Sequence, residues 1–430
     1  MMKKPILQVA LDFVDLNRAV KIADLAVKGG ADWLEVGTPL IKSEGLNAIK
    51  VMRKNFPKKK IVADMKVIDT GRLEIEAAAK SGADIVVVLG VADDSTIKEC
   101  VSAANNYGCE IMVDLLNCRN LESRALEVEK FGVDYICVHV GIDQQMIGVD
   151  PIQELKKITK KVRVPLAIAG GINSETAVKA VENGAEIVVV GGAITKAKNV
   201  EKATREIKKA ILKKRIRRTF LYKKHLDPVK VFKKVSTANI SDAMHRAEII
   251  EGVKPILNEV KIVGKAVTVR TYPGDWAKPV EAIDIAKEGD VIVIDALGSG
   301  KAVWGELASW SCKLKGIEGV VIYGSVRDVE EIRKLKFPVF AKNVTSTAGE
   351  PLGLGEINVP IKIGAVTIKP GDYIIGDEDG VIVVPKENAI EVANRALDIF
   401  EKEIRIREEI KEGSSLGKIL ELEKWEKVRK

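Results

Sequence analysis

"SGADIVVVLG" (81–90) is one of four versions of the phrase that decides the fold of the first half of the chain. The other three are "GGADWLEVG" (29–37), "FGVDYICVHVG" (131–141) and "NGAEIVVVGG" (183–192). In each version, a glycine that can end a helix precedes an acidic residue and a short run typical of a strand. The repeat therefore predicts a helix followed by a strand, four times over.

Four further apolar runs lie between these phrases: "ILQVALD" (6–12), "KIVADMK" (60–66), "EIMVDLL" (110–116) and "PLAIAGG" (165–171). The runs are continuously apolar, which is typical of strands covered on both faces. Eight strands at roughly 25-residue spacing, separated by helical patterns, are the signature of a βα-repeat barrel. We therefore predict an α/β fold in which residues 1–212 form a (β/α)₈ TIM barrel.

The second half of the chain has a different pattern. After a basic linker at residues 213–224, longer strands with Gly and Pro turns alternate with helices. We predict a mixed α/β domain with a swivelling β/β/α-like core over residues 225–400, followed by a helical tail at 401–430. Apolar residues at helical spacing near the C-terminus indicate packing or oligomer contact.

Positive charge is concentrated in one segment. The net charge is +8, but the stretch from Lys202 to Lys224 alone holds 11 Lys or Arg and one Glu, a net of +10, which leaves −2 elsewhere. This favours a solvated helix end and linker, with a nucleic-acid patch as the alternative. The only aromatic residues there, Phe220 and Tyr222, offer little surface for base stacking, so nucleic acid is not the expected partner.

Composition argues against membranes and secretion. The sequence has no run of about 18 apolar residues, which a membrane span needs, and its first residues lack the features of a signal peptide. The five cysteines form no C-x-x-C pair, which favours reduced thiols. We expect a cytoplasmic protein with no membrane partner.

Titratable residues stand at the predicted C-terminal ends of the barrel strands, where TIM-barrel chemistry is located. They are Asp12, Glu35, Asp64, Lys66, Asp114 and His139. Side chains two apart on a strand point the same way, so Asp64 and Lys66 should face one pocket. Asp69 follows in the next turn. So many charged groups at one rim predict an active site.

Two glycine pairs end the seventh and eighth strands. Gly170 and Gly171 belong to "AGGI", and Gly191 and Gly192 belong to "VGGAI". Glycines let backbone N–H groups approach an anion, and a helix N-terminus behind them adds its dipole. A pair of such turns at these two strands predicts a phosphate site, and hence a phosphorylated substrate.

The motifs "LQVALD", "EVGTPL", "DMKVID" and "HVGID", with the glycine pairs, resemble the 3-hexulose-6-phosphate synthase family of the orotidine 5′-phosphate decarboxylase superfamily. The resemblance covers residues 1 to about 212. Glu35 and His139 resemble the metal-dependent branches, which are the synthases and the 3-keto-L-gulonate-6-phosphate decarboxylases. "HVGIDQQ" is similar to the synthase pattern H-x-G-x-D-x-Q, and the decarboxylase branch remains the alternative.

This resemblance implies a reaction and a set of roles. Formaldehyde would join C1 of D-ribulose 5-phosphate through a 1,2-enediolate, giving D-arabino-3-hexulose 6-phosphate, and either direction could be physiological. Glu35 and Asp64 would bind Mg²⁺ (or Mn²⁺). Lys66 would stabilise the enediolate oxygens and His139 would be the general base.

The resemblance also implies roles for Asp12 and Asp69 and an oligomeric state. Asp12 and Asp69 would orient Lys66 and the substrate hydroxyls, alongside the catalytic Asp64. In the superfamily, the last aspartate of D-x-K-x-x-D usually reaches across a dimer interface. A homodimer of barrels, with Asp69 serving the partner's site, is therefore expected.

The stretch "GKAVWGELASWSCKLKGIEGVVIYGSVRD" (300–328) carries the chemistry of the second half. Gly305 opens a helix at Glu306 and Leu307, whose N–H groups can hold an anion. Arg327 and Asp328 follow a strand. Arginine can clamp a carboxylate and an adjacent aspartate can hold a divalent ion, although a surface salt bridge is the plainer reading.

Residues 225 to about 400 resemble the family of the regulator of ribonuclease activity, through "STANISDAM", "WGELAS", "GVVIYGSVRD" and "PVFAKNVT". Enzymatic members are metal-dependent 4-hydroxy-4-methyl-2-oxoglutarate/oxaloacetate aldolases. The resemblance implies that Arg327 binds a pyruvate-like carboxylate, Asp328 supports Mg²⁺, and the N–H groups near Glu306 and Leu307 hold an enolate oxygen. It also implies trimers or hexamers.

One departure keeps the role of this second domain open. The family commonly has Asp where this chain has Tyr323, which bears on metal binding and substrate. Three alternatives follow for the second half: an aldolase-like enzyme, a protein- or RNA-binding regulator, or a purely structural, oligomerising module.

Overall fold

A computed structural model describes residues 4–216 and 226–420 of the chain. The chain divides into two compact units, Met1–Lys224 and His225–Lys430. Each unit has hydrophobic core clusters of its own. Most of the predicted basic linker, residues 213–224, lies outside the described residues.

The first unit is a closed barrel of eight parallel strands in sequential order, which confirms the predicted TIM barrel. The strands are β1 (Ile6–Leu11), β2 (Trp33–Val36), β3 (Lys60–Val67), β4 (Ile85–Leu89), β5 (Glu110–Asp114), β6 (Tyr135–His139), β7 (Leu166–Ala169) and β8 (Ile187–Val190). The helices are α1 (Leu16–Gly29), α2 (Thr38–Glu44), α3 (Asn47–Asn55), α4 (Gly71–Lys80), α5 (Asp94–Tyr107), α6 (Leu121–Lys130), α7 (Ile142–Met146), α8 (Pro151–Ile158), α9 (Thr176–Glu182), α10 (Gly192–Thr195) and α11 (Val200–Lys213).

The repeated phrase has a structural reason at its glycine and, in three of its four versions, at its acidic residue. Its glycine ends the preceding helix in the left-handed region, with φ of 102°, 104°, 86° and 99° at Gly30, Gly82, Gly132 and Gly184. The acidic residue then binds the start of another strand. Asp32 accepts from the Leu7 N–H at 2.7 Å, and Asp84 and Asp134 accept from the N–H groups of Ile61 and Ile111 at 2.6 and 2.8 Å.

The interior of the barrel is layered. An apolar layer that includes Val62, Val87, Met112 and Cys137 fills its middle. Beneath it, the ammonium of Lys60 lies 5.3 Å from the Trp33 ring centroid and pairs with Glu110. The apolar layer supports the polar residues of the opposite, C-terminal end, and it keeps them apart from this lower ion pair.

The second unit is built on a mixed sheet of nine strands among the described residues, in the order β19-β18-β10-β11-β13-β14-β9, with β12 beside β13 and β15 beside β10. The strands are β9 (Lys254–Pro255), β10 (Ile262–Thr271), β11 (Val291–Asp295), β12 (Ala302–Trp304), β13 (Gly319–Val326), β14 (Val339–Val344), β15 (Gly355–Ile357), β16 (Ile361–Ile363), β17 (Val366–Ile368), β18 (Tyr373–Asp377) and β19 (Gly380–Val384), of which β16 and β17 form a separate hairpin. This architecture confirms the predicted mixed α/β domain.

The helices of this unit are α12 (Pro228–Phe232), α13 (Thr237–Ala243), α14 (Ala277–Ile285), α15 (Glu306–Lys315), α16 (Val329–Leu335), α17 (Ala389–Lys411) and α18 (Leu416–Leu420), with a 3₁₀ turn at Lys386–Asn388. Helix α17 runs unbroken across residue 400, so the boundary predicted there falls inside a helix. The reason is packing, since its buried residues Val392, Ala393, Ala396 and Leu397 belong to a core cluster of the second unit. Within residues 4–216 and 226–420, none of the helices has the length and apolar character needed to span a bilayer.

Candidate active site

Four of the predicted rim residues form a continuous polar chain at the mouth of the barrel. Lys66 Nζ lies 3.1 Å from Asp64 Oδ1 and 3.3 Å from Asp114 Oδ2. Asp114 Oδ2 in turn lies 2.7 Å from His139 Nδ1. Three strands, β3, β5 and β6, therefore bring one ammonium, two carboxylates and one imidazole together.

Lys66 reaches this chain from an irregular backbone. Its φ is +49°, in the left-handed region that favours glycine, and the pairing of β3 with β4 shifts register between Ala63 and Val67. The predicted proximity of Asp64 and Lys66 is found, but the regular alternation used to predict it does not hold here. A strained backbone at such a position costs about 1–3 kcal/mol and is common at functional sites.

Two more carboxylates complete the mouth. Glu35 on β2 is only 8% exposed, and its Oε2 accepts a hydrogen bond of 2.5 Å from Gln8 Nε2. Asp12 follows β1 and lies against Gly37, where an added Cβ would come within 2.2 Å of Asp12 Oδ1. The Thr38 hydroxyl lies 2.7 Å from Asp64 Oδ2.

The carboxylates at the mouth repel one another. Burial, followed by the charges of Asp64 and Asp12, raises the pKa of Glu35 well above its ordinary value. The Asp12 side chain is open to water on one side, but the surrounding protein desolvates it, and together with the Asp64 charge this raises the pKa of Asp12. Burial opposes the charge of Lys66, but Asp64 and Asp114 outweigh it and raise the Lys66 pKa. The site thus has an excess of negative charge.

Asp114 behaves differently from the other acids. Burial alone would raise its pKa, but the charge and hydrogen bond of His139, the charge of Lys66 and the Leu116 N–H together lower it. Asp114 therefore stays ionised and accepts hydrogen bonds from its neighbours. A buried carboxylate in this position fixes the orientation of the imidazole it contacts.

The residues fit a divalent cation. Glu35 and Asp64 offer hard carboxylate oxygens in a site with excess negative charge, which is the donor chemistry that Mg²⁺ and Mn²⁺ prefer. Gln8 Oε1 is buried and has no hydrogen-bond partner, so an uncommitted oxygen also lies beside Glu35. Across residues 4–216 and 226–420, no group of three or more His, Cys, Asp or Glu side chains is arranged to hold a metal. Two carboxylates are a donor set that suits a cation keeping several waters, as Mg²⁺ does.

The glycine pairs lie where the strands end. Gly170 and Gly171 have φ of +96° and +65°, and a Cβ at Gly170 would come within 2.0 Å of Val140 O. Gln145 packs against both glycines and donates from Nε2 to the same Val140 oxygen at 2.8 Å. Gly192 begins the one-turn helix α10, whose first N–H groups have no partners within the helix.

Asp69 stands apart from the polar chain. It is exposed, and its Oδ1 accepts from the Thr70 N–H at 2.7 Å. Asp69 lines a surface cavity of about 440 Å³ with residues of α4 and α5. No contact found among the described residues joins it to Asp64, Lys66 or Asp114.

Four residues near the site were not predicted. They are Gln8, Thr38, Gln145 and Lys196, the last being the C-cap of α10, whose charge lowers the Asp12 pKa. Gln8 carried a signal, since it is a polar residue inside an apolar strand. Gln145 also carried one, because it is the final residue of the H-x-G-x-D-x-Q pattern.

The second unit contains a separate cavity of about 570 Å³. All five residues predicted for this domain line it, together with aromatic side chains: Gly305, Glu306, Leu307, Arg327, Asp328, Trp276 and Trp304. Asp328 Oδ2 accepts from the Glu306 N–H at 3.3 Å and lies 3.5 Å from Arg327 Nε. Gly305 leaves room for this carboxylate, because a Cβ there would come within 2.6 Å of Asp328 Oδ2 unless the side chain shifted.

Tyr323, the departure from the family pattern, does not line this cavity. Its ring packs on a core cluster with Val321 and Val293, whereas Ile322 and Val326 belong to the cluster that contains Trp304. The Tyr323 hydroxyl lies 3.2 Å from Lys342 Nζ. Tyr323 therefore packs on a different core cluster from its neighbours Ile322 and Val326.

Two families match the chain. Residues 5–207 match the family described as orotidine 5′-phosphate decarboxylase / HUMPS, and residues 237–383 match the RraA-like family, described as Aldolase/RraA. An uncharacterized protein of Methanocaldococcus jannaschii is 48% identical over 197 residues, 45% of this chain and 93% of the relative. The 3-hexulose-6-phosphate synthase of Bacillus subtilis is 41% identical over 207 residues, 48% of this chain and 98% of the relative.

Three solved structures are also similar to parts of the chain. A 3-hexulose-6-phosphate synthase structure is 40% identical, with a TM-score of 0.46, and covers 48% of this chain and 99% of its own. A 3-keto-L-gulonate-6-phosphate decarboxylase from Vibrio cholerae is 26% identical, with a TM-score of 0.44 and coverage of 49% and 98%. The RNA-processing inhibitor RraA from Thermus thermophilis is 30% identical, with a TM-score of 0.33 and coverage of 35% and 92%.

The chain belongs to the orotidine 5′-phosphate decarboxylase / HUMPS family, and it carries an RraA-like domain in its second half. The 3-hexulose-6-phosphate synthase of Staphylococcus epidermidis is also similar, 37% identical over 206 residues, 48% of this chain and 98% of the relative. Both resemblances predicted from the sequence motifs are confirmed.

Proposed function

We propose that the barrel is a lyase that reversibly joins formaldehyde to C1 of D-ribulose 5-phosphate, giving D-arabino-3-hexulose 6-phosphate. The observation that carries the proposal is the chain Asp64–Lys66–Asp114–His139, which combines a base with a fixed positive charge. Support also comes from the Bacillus subtilis synthase, which is 41% identical and is covered over 98% of its length.

His139 is the general base of this proposal. Its Nδ1 faces the ionised Asp114 at 2.7 Å, so Nδ1 carries the proton and donates to Asp114. The lone pair is then on Nε2, which can take the C1 proton of the ketose. After C1 attacks the carbonyl carbon of formaldehyde, the imidazolium returns a proton to the new alkoxide oxygen.

Lys66 supplies fixed positive charge. Removal of the C1 proton leaves negative charge on the enediolate oxygens, and a preorganised cation stabilises such charge strongly. Asp64 and Asp114 hold the ammonium from two sides and keep it protonated. Asp12, close enough to Lys66 and His139 for their charges to act on it, would orient the substrate hydroxyls.

Glu35 and Asp64 would hold Mg²⁺ or Mn²⁺. When bound, the ion would supply Lewis-acid stabilisation of negative charge on substrate oxygens. The backbone N–H groups near Gly170, Gly171, Gly191 and Gly192 would bind the phosphate, because glycine leaves them open to an anion.

We also propose a homodimer in which Asp69 serves the partner's site. Asp69 is exposed and separate from its own polar chain, and its neighbours Ile68 and Leu73 are 56% and 67% exposed. Exposed apolar side chains are common at subunit contacts. Their presence around Asp69, which does not reach the polar chain of its own barrel, therefore fits a contact with a second subunit.

The decisive experiment is a substrate screen on the purified full chain. Ribulose 5-phosphate with formaldehyde is compared with 3-keto-L-gulonate 6-phosphate, at equal metal concentration. Turnover of the first pair supports the synthase, whereas release of CO₂ from the second supports the decarboxylase alternative. Absence of turnover with both would contradict the proposal.

A second candidate activity rests on the cavity of about 570 Å³ in the second unit. We propose that Arg327 binds the carboxylate of a pyruvate-like substrate and that Asp328 supports Mg²⁺. The N–H groups at the start of α15, near Glu306 and Leu307, would hold an enolate oxygen. Mg²⁺-dependent decarboxylation of oxaloacetate by the full chain tests this, and salt-dependent RNA binding without decarboxylation would favour the regulator alternative instead.

A further inference from the structure

Gln8 is a buried polar side chain inside the barrel to which the proposed chemistry gives no role. Gln8 lies on β1. Its register partner on β2 is Trp33, whereas Glu35 pairs with Ala10, so Gln8 is two residues nearer the N-terminal end of the strand. Gln8 is 1% exposed. A buried amide in an apolar strand costs roughly 1–3 kcal/mol unless its groups are satisfied.

Only half of this amide is satisfied by the protein. Nε2 donates to Glu35 Oε2 at 2.5 Å, a contact in which both residues are buried. Oε1 is one of only two buried side-chain N or O atoms without a partner among the described residues. An apolar residue of similar volume would avoid the cost of that unpaired oxygen, so packing does not explain the choice of glutamine.

The chemistry of an amide explains the choice. The N–H group can engage one oxygen of Glu35 without adding charge, and it leaves the other carboxylate oxygen uncommitted. A lysine in this place would neutralise the carboxylate, and an acid would repel it. The carbonyl oxygen can only accept a hydrogen bond, and a buried water can donate one to it.

We propose that Gln8 is a positioning residue for the cation site: it orients Glu35 so that one carboxylate oxygen is held and the other binds the divalent ion. This inference deepens the proposed function and rests on its assignment of Glu35 as a cation ligand. Residues that orient metal ligands by hydrogen bonding change metal affinity about 10–100-fold when removed.

The test measures cation affinity directly. Mn²⁺ binding to the full chain is titrated by electron paramagnetic resonance, in an Asp328→Asn background that removes the candidate ligand of the second unit. Gln8→Met fills the same volume and removes both polar groups, and Gln8→Leu is a second variant in case the first does not fold. Met112→Leu, another substitution in the buried barrel interior, is the matched control.

The expected result is a Mn²⁺ dissociation constant raised about 10–100-fold by Gln8→Met, with Met112→Leu unchanged. The double variant Gln8→Met/Glu35→Gln should bind Mn²⁺ no more weakly than Glu35→Gln alone, because Gln8 acts through Glu35. Independent, additive losses would overturn the inference, as would Gln8→Met affinity within twofold of the parent.

The proposed reaction is judged separately. If Glu35→Gln leaves Mn²⁺ affinity unchanged, Glu35 is not a ligand and both the cation assignment and this inference fall. If the Mn²⁺ results hold but ribulose 5-phosphate and formaldehyde are not turned over, the proposed function fails while the role of Gln8 stands.

Discussion

His139 Nδ1 lies 2.7 Å from Asp114 Oδ2, and this contact fixes which nitrogen of the imidazole is available for proton transfer. Asp114 is buried, and the contacts it makes lower its pKa, so it accepts the Nδ1 proton as an anion. Nε2 is left as the basic atom. Substitutions should therefore test both His139 and Asp114, and not His139 alone.

Replacing His139 with Ala should lower kcat for the condensation by about 10²–10⁴-fold, the usual contribution of general acid–base catalysis. Asp114→Asn should also lower kcat, because a neutral amide no longer fixes the tautomer. The measurement is formaldehyde-dependent consumption of ribulose 5-phosphate, with circular dichroism to show that the fold is intact. Full turnover by His139→Ala would remove the base assignment.

Replacing Lys66 should separate catalysis from backbone strain. Lys66→Ala and Lys66→Gly should both lose about 10²–10³-fold in kcat, since the charge beside the enediolate is gone. At φ of +49°, however, Lys66→Gly should be more stable to urea than Lys66→Ala by roughly 1 kcal/mol. Lys60→Met, which breaks the ion pair with Glu110 below the apolar layer, is the control and should keep its activity. Equal stability of the two Lys66 variants would contradict the strain argument.

The barrel was predictable because its repeat has a local physical cause. Gly30 and Gly82 end helices at positive φ, and Asp32 and Asp84 accept hydrogen bonds from strand N–H groups. Each repeat can therefore be recognised from its own residues. The residues at the rim could be predicted because they stand at the C-terminal ends of the predicted strands.

What the sequence could not provide depends on contacts between distant segments. Gln8 and Glu35 are 27 residues apart, and nothing in either local pattern indicates their hydrogen bond. The irregular backbone at Lys66 was hidden because the stretch "IVADMKV" (61–67) predicts a regular strand. Tyr323 adjoins "GSVRD" in sequence, but the alternation of β13 turns it toward a different core cluster.

Gly170→Ala should be far more damaging than a comparable glycine substitution elsewhere. Gly170 and Gly108 both have positive φ, +96° and +73°, but a Cβ at Gly170 meets Val140 O at 2.0 Å while one at Gly108 meets nothing within 4 Å. Gly108→Ala should cost about 1 kcal/mol in free energy of unfolding from strain alone. Gly170→Ala should cost several times more, or raise KM for the phosphorylated substrate if the turn shifts instead. Equal effects in urea unfolding and in KM would contradict a steric role for Gly170.

The stability of the second unit should fall in acid through Asp377. Burial would raise its pKa, but the Thr237 hydroxyl and N–H and the Lys261 ammonium lower it overall. A depressed pKa means stabilisation that is present above the unfolded value of about 4 and is lost as pH falls through the folded value. Asp377→Asn should therefore lower the calorimetric transition of this unit at pH 7 and flatten its decline below about pH 4. The nearby, exposed Asp379→Asn is the control, and a matching shift there would contradict the assignment.

Arg327 provides the test of whether the second cavity is catalytic. A guanidinium can bind a carboxylate with two parallel hydrogen bonds, which a lysine cannot reproduce, so Arg327→Lys should raise KM for oxaloacetate while keeping the charge. Arg327→Ala should abolish Mg²⁺-dependent decarboxylation and leave the barrel reaction unchanged, since its cavity lies wholly within the second unit. Arg333→Ala, which removes a hydrogen bond to Ile256 O away from that cavity, is the matched control. Decarboxylation that survives in Arg327→Ala would assign the activity to another site, and loss in Arg333→Ala as well would indicate damage to the fold.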